Sequence, residues 1–333
     1  MNPTKVLLLC GGGGAEHEVS LISADYIESE LNKLQSVSVI RVELTKCSGW
    51  TDTYGRSCRL NLNKTLDVGD NIIAIDYVVP CIHGFPGETG DIQSLLKLSG
   101  LPFMGCDASA SILCFNKITS KLWFDAIGIP NTPYVFLTEN NNDNMVRVEA
   151  ALESWGTIFI KAACQGSSIG CYKVTDKEAI QEAVENAFTF SKQVLVEKNV
   201  IPRELEIAVY HYDGNVVVTN PGEISWSEGT FYTYEEKYSA RSHSSTSVKP
   251  ENLTDKQITL MRKYAKKAFV HLKLKDLSRI DFFLTEDGEV LLNEINTFPG
   301  MTPISMFPKL VEHNELTFVD FLGSCIYQSV RTC

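Results

Sequence analysis

Residues 279–296, RIDFFLTEDGEVLLNEIN, hold the densest set of groups in the chain that could do chemistry. Two apolar stretches, 279–284 and 290–296, read as strands, and 286–289, with Asp287-Gly288 at its core, supplies a hairpin turn. Side chains alternate across a strand. Arg279, Asp281 and Phe283 are therefore expected on one face of the first strand, and Leu292, Glu294 and Asn296 on one face of the second. The sequence leaves the register open. If Asp281 and Glu294 face the same way, two carboxylates and the Asn296 amide oxygen converge. Carboxylates so placed repel unless a cation lies between them, and oxygen donors of this kind suit Mg2+ bridged to phosphates. The bland alternative is a solvated hairpin face. Against it stand the apolar neighbours of these acids and the unusual turn that follows, Thr297-Phe298-Pro299-Gly300-Met301-Thr302.

A metal of that kind wants phosphates nearby. The segment CQGSSIG at 164–170 places Gly166 and Gly170 around Ser167 and Ser168. Backbone amides in such a loop can cradle phosphate oxygens, and hydroxyls add donors. It is not a Walker A loop, because no GK[ST] closes it. Lys161, at the end of an apolar stretch just before this loop, and Lys117, at a helix start, are placed to neutralise phosphate; each could equally be a snorkelling surface lysine. Glu197, Lys198 and Glu204 follow another apolar stretch, where the two carboxylates could accept from an adenine amine and ribose hydroxyls. The run Gly11–Gly14 fails the GxGxxG dinucleotide pattern, since Glu16 stands where the last glycine belongs. It still lets a ligand approach the backbone closely. His17-Glu18 is not a zincin motif, because Leu21 occupies the second histidine's place.

Positioning these groups requires a particular set of elements. In the first third, strands at 5–10, 37–42 and 71–80 alternate with helices at 19–34 and 92–98, a pattern that predicts a parallel sheet with ligands at its strand ends. Residues 45–70 read as polar and turn-rich. A helix is expected over 116–127, stopped by Gly128-Ile129-Pro130, then a strand at 157–161. Thr175 and Glu178 suggest a capping box before a helix at 176–188, and Thr254 with Gln257 another before 254–269. Strands are expected at 194–196 and 205–210. The polar, aromatic-bearing stretch 221–247 reads as a long loop of the kind that covers an active site.

The 333 residues allow one large domain or two to three smaller ones. A net charge of −11 and no basic run argue against nucleic acid as a partner. No apolar run has the length of a membrane span, and the ten cysteines, none in a CxxC pair, point to reduced thiols.

Taken together, these motifs resemble those of the D-alanine–D-alanine ligase family. The resemblance rests on GGGGAEHEVS (11–20), HGFPGETGDIQ (83–93), NKITSK (116–121), QGSSIG (165–170), VLVEK (194–198), RELEIAV (203–209), FYTYEEKY (231–238), RIDFFL (279–284) and NEINTFPGMTPISMFP (293–308), in that order over nearly the full length. It implies an α/β ATP-grasp fold: an N-terminal Rossmann-like parallel-sheet domain (1–115) and two α+β subdomains (116–210 and 211–333) sandwiching ATP. It implies ligation of two D-alanines for peptidoglycan precursor synthesis, with Mg2+ (Mn2+ as a substitute), in a cytoplasmic homodimer that binds neither nucleic acid nor membrane.

By the same resemblance Glu18 holds the first substrate's ammonium, with His83 beside it. Ser167 and Tyr238 link to Glu18, and Lys117, Lys161 and Lys237 contact phosphates. Glu197, Lys198 and Glu204 lie at the nucleoside, Arg279 stabilises the tetrahedral intermediate, and Asp281, Glu294 and Asn296 hold the metal. Ser305 and the backbone at Met306 clamp the second substrate's carboxylate. The chain departs from the common pattern in having Ala162-Ala163 after Lys161 and Thr89 in the GETG segment. The Lys237-Tyr238 pair argues for an amine acceptor over D-lactate. D-serine as acceptor, another carboxylate–amine ligase and a nucleotide-binding regulator are the rival readings.

Overall fold

The computed structural model describes residues 3–47, 49–225 and 245–331. Lys237 and Tyr238 lie outside the described residues.

The apolar run near the N-terminus becomes β1 (Thr4–Gly11), whose side chains from Val6 to Cys10 are fully buried. A strand apolar on both faces belongs in the middle of a parallel sheet. It pairs in parallel with β2 (Val37–Leu44) on one side and, on the other, with the strand at 77–80 described below. The crossover between β1 and β2 is α1 (His17–Leu31), which packs Ala24, Ile27 and Leu31 into the core beside β1. β3 (Trp50–Asp52) adds an antiparallel edge to β2. The stretch read as turns also holds β4 (Cys58–Leu60) and β5 (Thr65–Val68), which with β6 (Asn71–Ala74) form a separate three-stranded sheet. The single strand expected at 71–80 thus divides: β6 joins the small sheet and β7 (Tyr77–Pro80) the parallel one. Short helices α2 (Asp91–Leu98) and α3 (Ala108–Phe115) follow.

The second body begins with α4 (Lys117–Ala126). Its cap is Asn116, whose Oδ1 accepts from the Ile118 and Thr119 amides. Then come β8 (Tyr134–Leu137), α5 (Asn142–Trp155), β9 (Ile158–Ala162), β10 (Cys171–Val174), α6 (Ile180–Phe190) and β11 (Val194–Lys198). The strands form an antiparallel sheet ordered β10-β9-β11-β8. Ile158, Ile160, Val194 and Val196 point into a core shared with α5 and α6. Alternation therefore turns Phe159, Lys161, Leu195 and Glu197 to the opposite face. The capping box expected at Thr175 does not form. Its hydroxyl donates to Asp176, and a turn of 3-10 helix (Lys177–Ala179) precedes α6.

The third body is an antiparallel sheet of β12 (Arg203–Tyr212), β13 (Asn215–Val218), β14 (Gly222–Ser225), β15 (Ser245–Ser247), β16 (Leu277–Leu284) and β17 (Val290–Asn296). Its order is β15-β14-β12-β16-β17, with β13 on β12. The loop expected over 221–247 is therefore paired strand at both ends. The sheet boundary also differs from expectation: a division at 210/211 falls inside β12, and the chain changes sheets at 199–202. One face packs on α7 (Asp255–His271), which carries the expected Thr254–Gln257 capping box, through Leu205, Ile207, Ile280 and Phe282. The other face is apolar at Ala208, Tyr210 and Leu277, where α8 (Met306–His313) and α9 (Phe318–Arg331) cover it. Those two helices pack in the same core as β1, α1 and β7, so the first and third bodies share a core.

Phe321 sits in that shared core, fully buried, with the rings of Tyr210 and Phe307 each 5.6 Å away. Phe321→Ala should lower unfolding free energy by about 3–5 kcal/mol. Urea unfolding measures it, and a loss under ~1 kcal/mol would show that this core does not tie the bodies together.

Candidate active site

The register left open by the sequence is settled across three strands. Glu206 on β12 lies opposite Asp281 on β16, which lies opposite Glu294 on β17. One step along, Ala208, Arg279 and Asn296 are opposite one another. Leu292 does not share the face of Glu294 and Asn296, contrary to the alternation argument. A β-bulge between Asp281 and Phe282 takes Asn293 out of the pairing, so Leu292 and Ile295 both enter the α7 core while Glu294 stays with Asp281.

Three carboxylates in a row are costly without counter-charge. Arg279 supplies most of it: Nε and Nη2 donate to the two Asp281 oxygens at 2.8 and 2.7 Å, and Nε lies 3.2 Å from Glu206. Asn296 Nδ2 donates to Asp281 at 2.9 Å, and Lys117 Nζ lies 3.3 Å from Glu294. Among the described residues no three His, Cys, Asp or Glu side chains gather as a self-sufficient metal site. Asp281, Glu294 and Asn296 instead offer a partial, all-oxygen set. That fits Mg2+, which is commonly held by one or two carboxylates plus phosphate oxygens and water, and it does not fit zinc.

Contacts run from this row to a second centre. Lys117 is the first residue of α4, and its Nζ also donates to the Gln165 carbonyl in the glycine-rich loop (2.9 Å). Two residues on, Ser167, held at φ 51°, donates through Oγ to Glu16 at 2.5 Å. The sequence-based expectation placed Glu18 there, and this is corrected. Glu18 is 66% exposed and pairs with Lys46 at 3.0 Å. The reason is geometric. The helix starts at His17, so Glu16 still belongs to the loop facing the cleft, and two residues on, at about 100° per residue, Glu18 points away. The EHE spelling holds both glutamates, and only the helix start separates them. The cleft, about 440 Å³, is lined by Gly14, Glu16, Gly84, Phe85, Gln165 and Gly166 among others. Gly84 is held at φ 65°, strained for any other residue, and a Cβ there would fall 2.3 Å from a Glu16 oxygen and displace that carboxylate.

His83 is buried and joins this cleft to the turn after β17. The Phe298 carbonyl can only accept, so Nδ1 carries the proton and donates at 3.2 Å, leaving Nε2 to accept from Ser23 Oγ at 2.9 Å. Ser23 in turn accepts from the Met301 amide. Burial keeps His83 below the usual histidine range. Beside it, Glu88 accepts from the Gly84 amide (2.8 Å); burial, then the nearby Glu16 charge, push its carboxyl up to about 8. Ser305 caps the start of α8 without a side-chain hydrogen bond to that helix. Its Oγ instead accepts from the Thr302 amide at 3.0 Å, and Met306 is buried behind it.

On the second sheet, Glu197 is buried between two lysines, with Lys121 Nζ at 2.6 Å and Lys161 Nζ at 2.5 Å. Burial raises its carboxyl, and the two ammonium groups outweigh that and bring it to about 2. Lys121 escaped the sequence reading, because a lysine in a helical pattern reads as solvent-facing. Lys198 is exposed at the end of β11, and Glu204 lies on the same face of β12 as Glu206. The nine cysteines within the described residues are free thiols, and no helix among those residues is long and apolar enough to cross a membrane.

Comparison with known proteins agrees with this arrangement. Residues 5–106 match the model of the D-ala D-ala ligase N-terminus and residues 123–327 that of the D-ala D-ala ligase C-terminus. The chain is 57% identical over 331 residues to a D-alanine–D-alanine ligase of Tolumonas auensis, covering 99% of this chain and all of that one. A solved D-alanyl-alanine synthetase A from Vibrio cholerae superposes with a TM-score of 0.95 at 55% identity, covering 99% of each chain. A D-Ala:D-Ser ligase from Enterococcus faecalis superposes with a TM-score of 0.86 at 28% identity, covering 98% of this chain and 99% of that one. ATP-grasp ligases use ATP with Mg2+ or Mn2+. With both family models matched along nearly its whole length and the carboxylate row, basic residues and glycine-rich loop in one connected site, the chain belongs to the D-alanine–D-alanine ligase family of the ATP-grasp superfamily.

Proposed function

We propose that this enzyme uses ATP to convert the carboxylate of one D-alanine to D-alanyl phosphate and passes the acyl group to the amine of a second, releasing ADP and phosphate. The observation that carries the reading is the linkage of Glu16 to Ser167 of the glycine-rich loop, of that loop's Gln165 through Lys117 to Glu294, and by strand pairing to Asp281 and Arg279. It joins a site for an ammonium to a site for phosphates and a cation.

A carboxylate is a poor acyl donor because its leaving group is oxide; phosphorylation replaces that with phosphate. Glu16, aimed into the cleft and fixed by Ser167, offers a carboxylate to the first substrate's ammonium. Lys117 and Lys161 serve the nucleotide phosphates, and Glu197, Lys198 and Glu204 the nucleoside. Asp281, Glu294 and Asn296 would hold Mg2+, which would supply charge neutralisation during phosphoryl transfer. Arg279, gripping Asp281 through Nε and Nη2, presents its remaining edge to the tetrahedral oxyanion, a contribution of typically ~3 kcal/mol in comparable sites. Ser305 and the start of α8 suit the second substrate's carboxylate, since a helix N-terminus attracts anions. His83, neutral and locked by Phe298 and Ser23, shapes the wall between the two substrates. Acyl phosphates hydrolyse readily, so such a site must exclude water.

Phosphate release is to be measured with D-alanine alone and with added D-serine or D-lactate, and the products identified by mass. D-alanyl-D-alanine as the main product is expected; a mixed dipeptide or ester as the main product overturns the acceptor assignment. Glu16→Gln should lower kcat/KM for D-alanine roughly 10- to 100-fold, as loss of a charged hydrogen bond does. Glu18→Gln should leave it unchanged, and the opposite ranking would restore Glu18. Glu88 gives a stability test. Its carboxyl is raised in the fold, so it keeps a proton the unfolded chain has lost. Its favourable contribution is present below pH 4.5 and is lost as pH rises toward about 8. Glu88→Gln should therefore melt above the parent at pH 8 and the gap should close near pH 4.5; equal melting at both ends contradicts the assignment.

A further inference from the structure

Two lysines hold Glu197, and they are not equivalent. Lys121 on α4 is 2% exposed, and its ammonium has three acceptors: Glu197 Oε1 at 2.6 Å, Asn131 Oδ1 at 3.1 Å and the Thr132 carbonyl at 3.1 Å. An ammonium has three protons, so Lys121 has none left for a ligand. Its surroundings are fixed in turn. The ring of Tyr134 lies 5.2 Å from the ammonium, and both Asn131 Nδ2 and Tyr134 Oη donate to Asp125 at 2.7 Å. Lys161 on β9 is 19% exposed, holds Glu197 Oε2 at 2.5 Å and stands on the strand that leads into the glycine-rich loop.

We propose that Lys121 is a positioning residue for nucleobase recognition: the permanent counter-charge that keeps Glu197 ionised and aimed when Lys161 leaves it for the phosphates of a bound nucleotide. This rests on the reading of the site as an ATP site. A carboxylate oxygen has two acceptor positions, so Glu197 can keep Lys121 and still accept from the 6-amino group of adenine. Without Lys121, departure of Lys161 would strand a buried charge, which is strongly unfavourable. Lys161 would then stay on Glu197, and both the phosphates and the base would lose a partner. Lys121 thus acts on the nucleotide without touching it.

The test compares binding of Mg-ATP and Mg-inosine triphosphate, which carries a 6-oxo group in place of the amine, by calorimetry on the full chain without D-alanine. The parent should favour ATP by at least ~10-fold, since an unmatched buried acceptor discriminates strongly. Lys121→Met should weaken ATP at least ~10-fold and bring the ratio to within about threefold. Inosine triphosphate should weaken less. If the methionine variant does not fold, Lys121→Gln is read by the same ratio. A lysine that only stabilises the fold would lower the melting temperature and leave the ratio intact, and that result overturns the proposal. A parent that binds neither nucleotide, or binds both equally, overturns the reading of the nucleotide site instead.

Discussion

Three carboxylates in register across neighbouring strands, Glu206, Asp281 and Glu294, are the constraint that the rest of the site answers. Negative charge concentrated on one partly buried sheet face has to be met by cations. Arg279 on the same strand as Asp281 meets part of it, and Lys117 reaches in from the start of α4 for another part. The second contact links elements of all three bodies. Lys117 stands where it does because Asn116 caps α4, and the same ammonium grips the loop that presents Ser167 to Glu16. A charge on the third sheet is thus connected, through Lys117, to a loop from the second and to a carboxylate from the first.

The same logic governs what a nucleotide does on arrival. On the proposed function, its phosphates would compete with Glu197 and Glu294 for Lys161 and Lys117, and its metal with Arg279 for Asp281. On that reading each of these ion pairs would also be a reserve of charge for the ligand. The buried scaffolding would stay fixed: Lys121 under Glu197, the neutral His83 between Phe298 and Ser23, and Glu88 under the Gly84 amide. Such groups hold their geometry because every donor or acceptor named for them is matched inside the protein.

Local pattern made much of this legible. Alternation placed Arg279 and Asp281 on one face, the apolar run at 5–10 marked the central parallel strand, and Thr254 with Gln257 announced α7. The misreadings share a cause, which is that each depended on something beyond the local repeat. The bulge at Asn293 interrupts the alternation that put Leu292 beside Glu294. The start of α1 at His17, not visible in the letters EHE, decides that Glu16 and not Glu18 enters the cleft. Short strands such as β4 and β5 carry too few residues for a period and read as turns. The burial of Lys121 is hidden from local pattern, since its partners Asn131, Thr132 and Glu197 all lie outside its helix.

The charge-exchange picture at the carboxylate row is tested most directly by binding of Mn2+, followed by its electron paramagnetic resonance signal, with and without a non-hydrolysable ATP analogue. Because the proposed ligands Asp281, Glu294 and Asn296 make only a partial oxygen set, Mn2+ should bind weakly alone and tightly once nucleotide phosphates complete it. Asp281→Asn should abolish the tight binding. Equal Mn2+ binding with and without nucleotide, or tight binding that survives Asp281→Asn, would contradict the assignment of this face as the metal site.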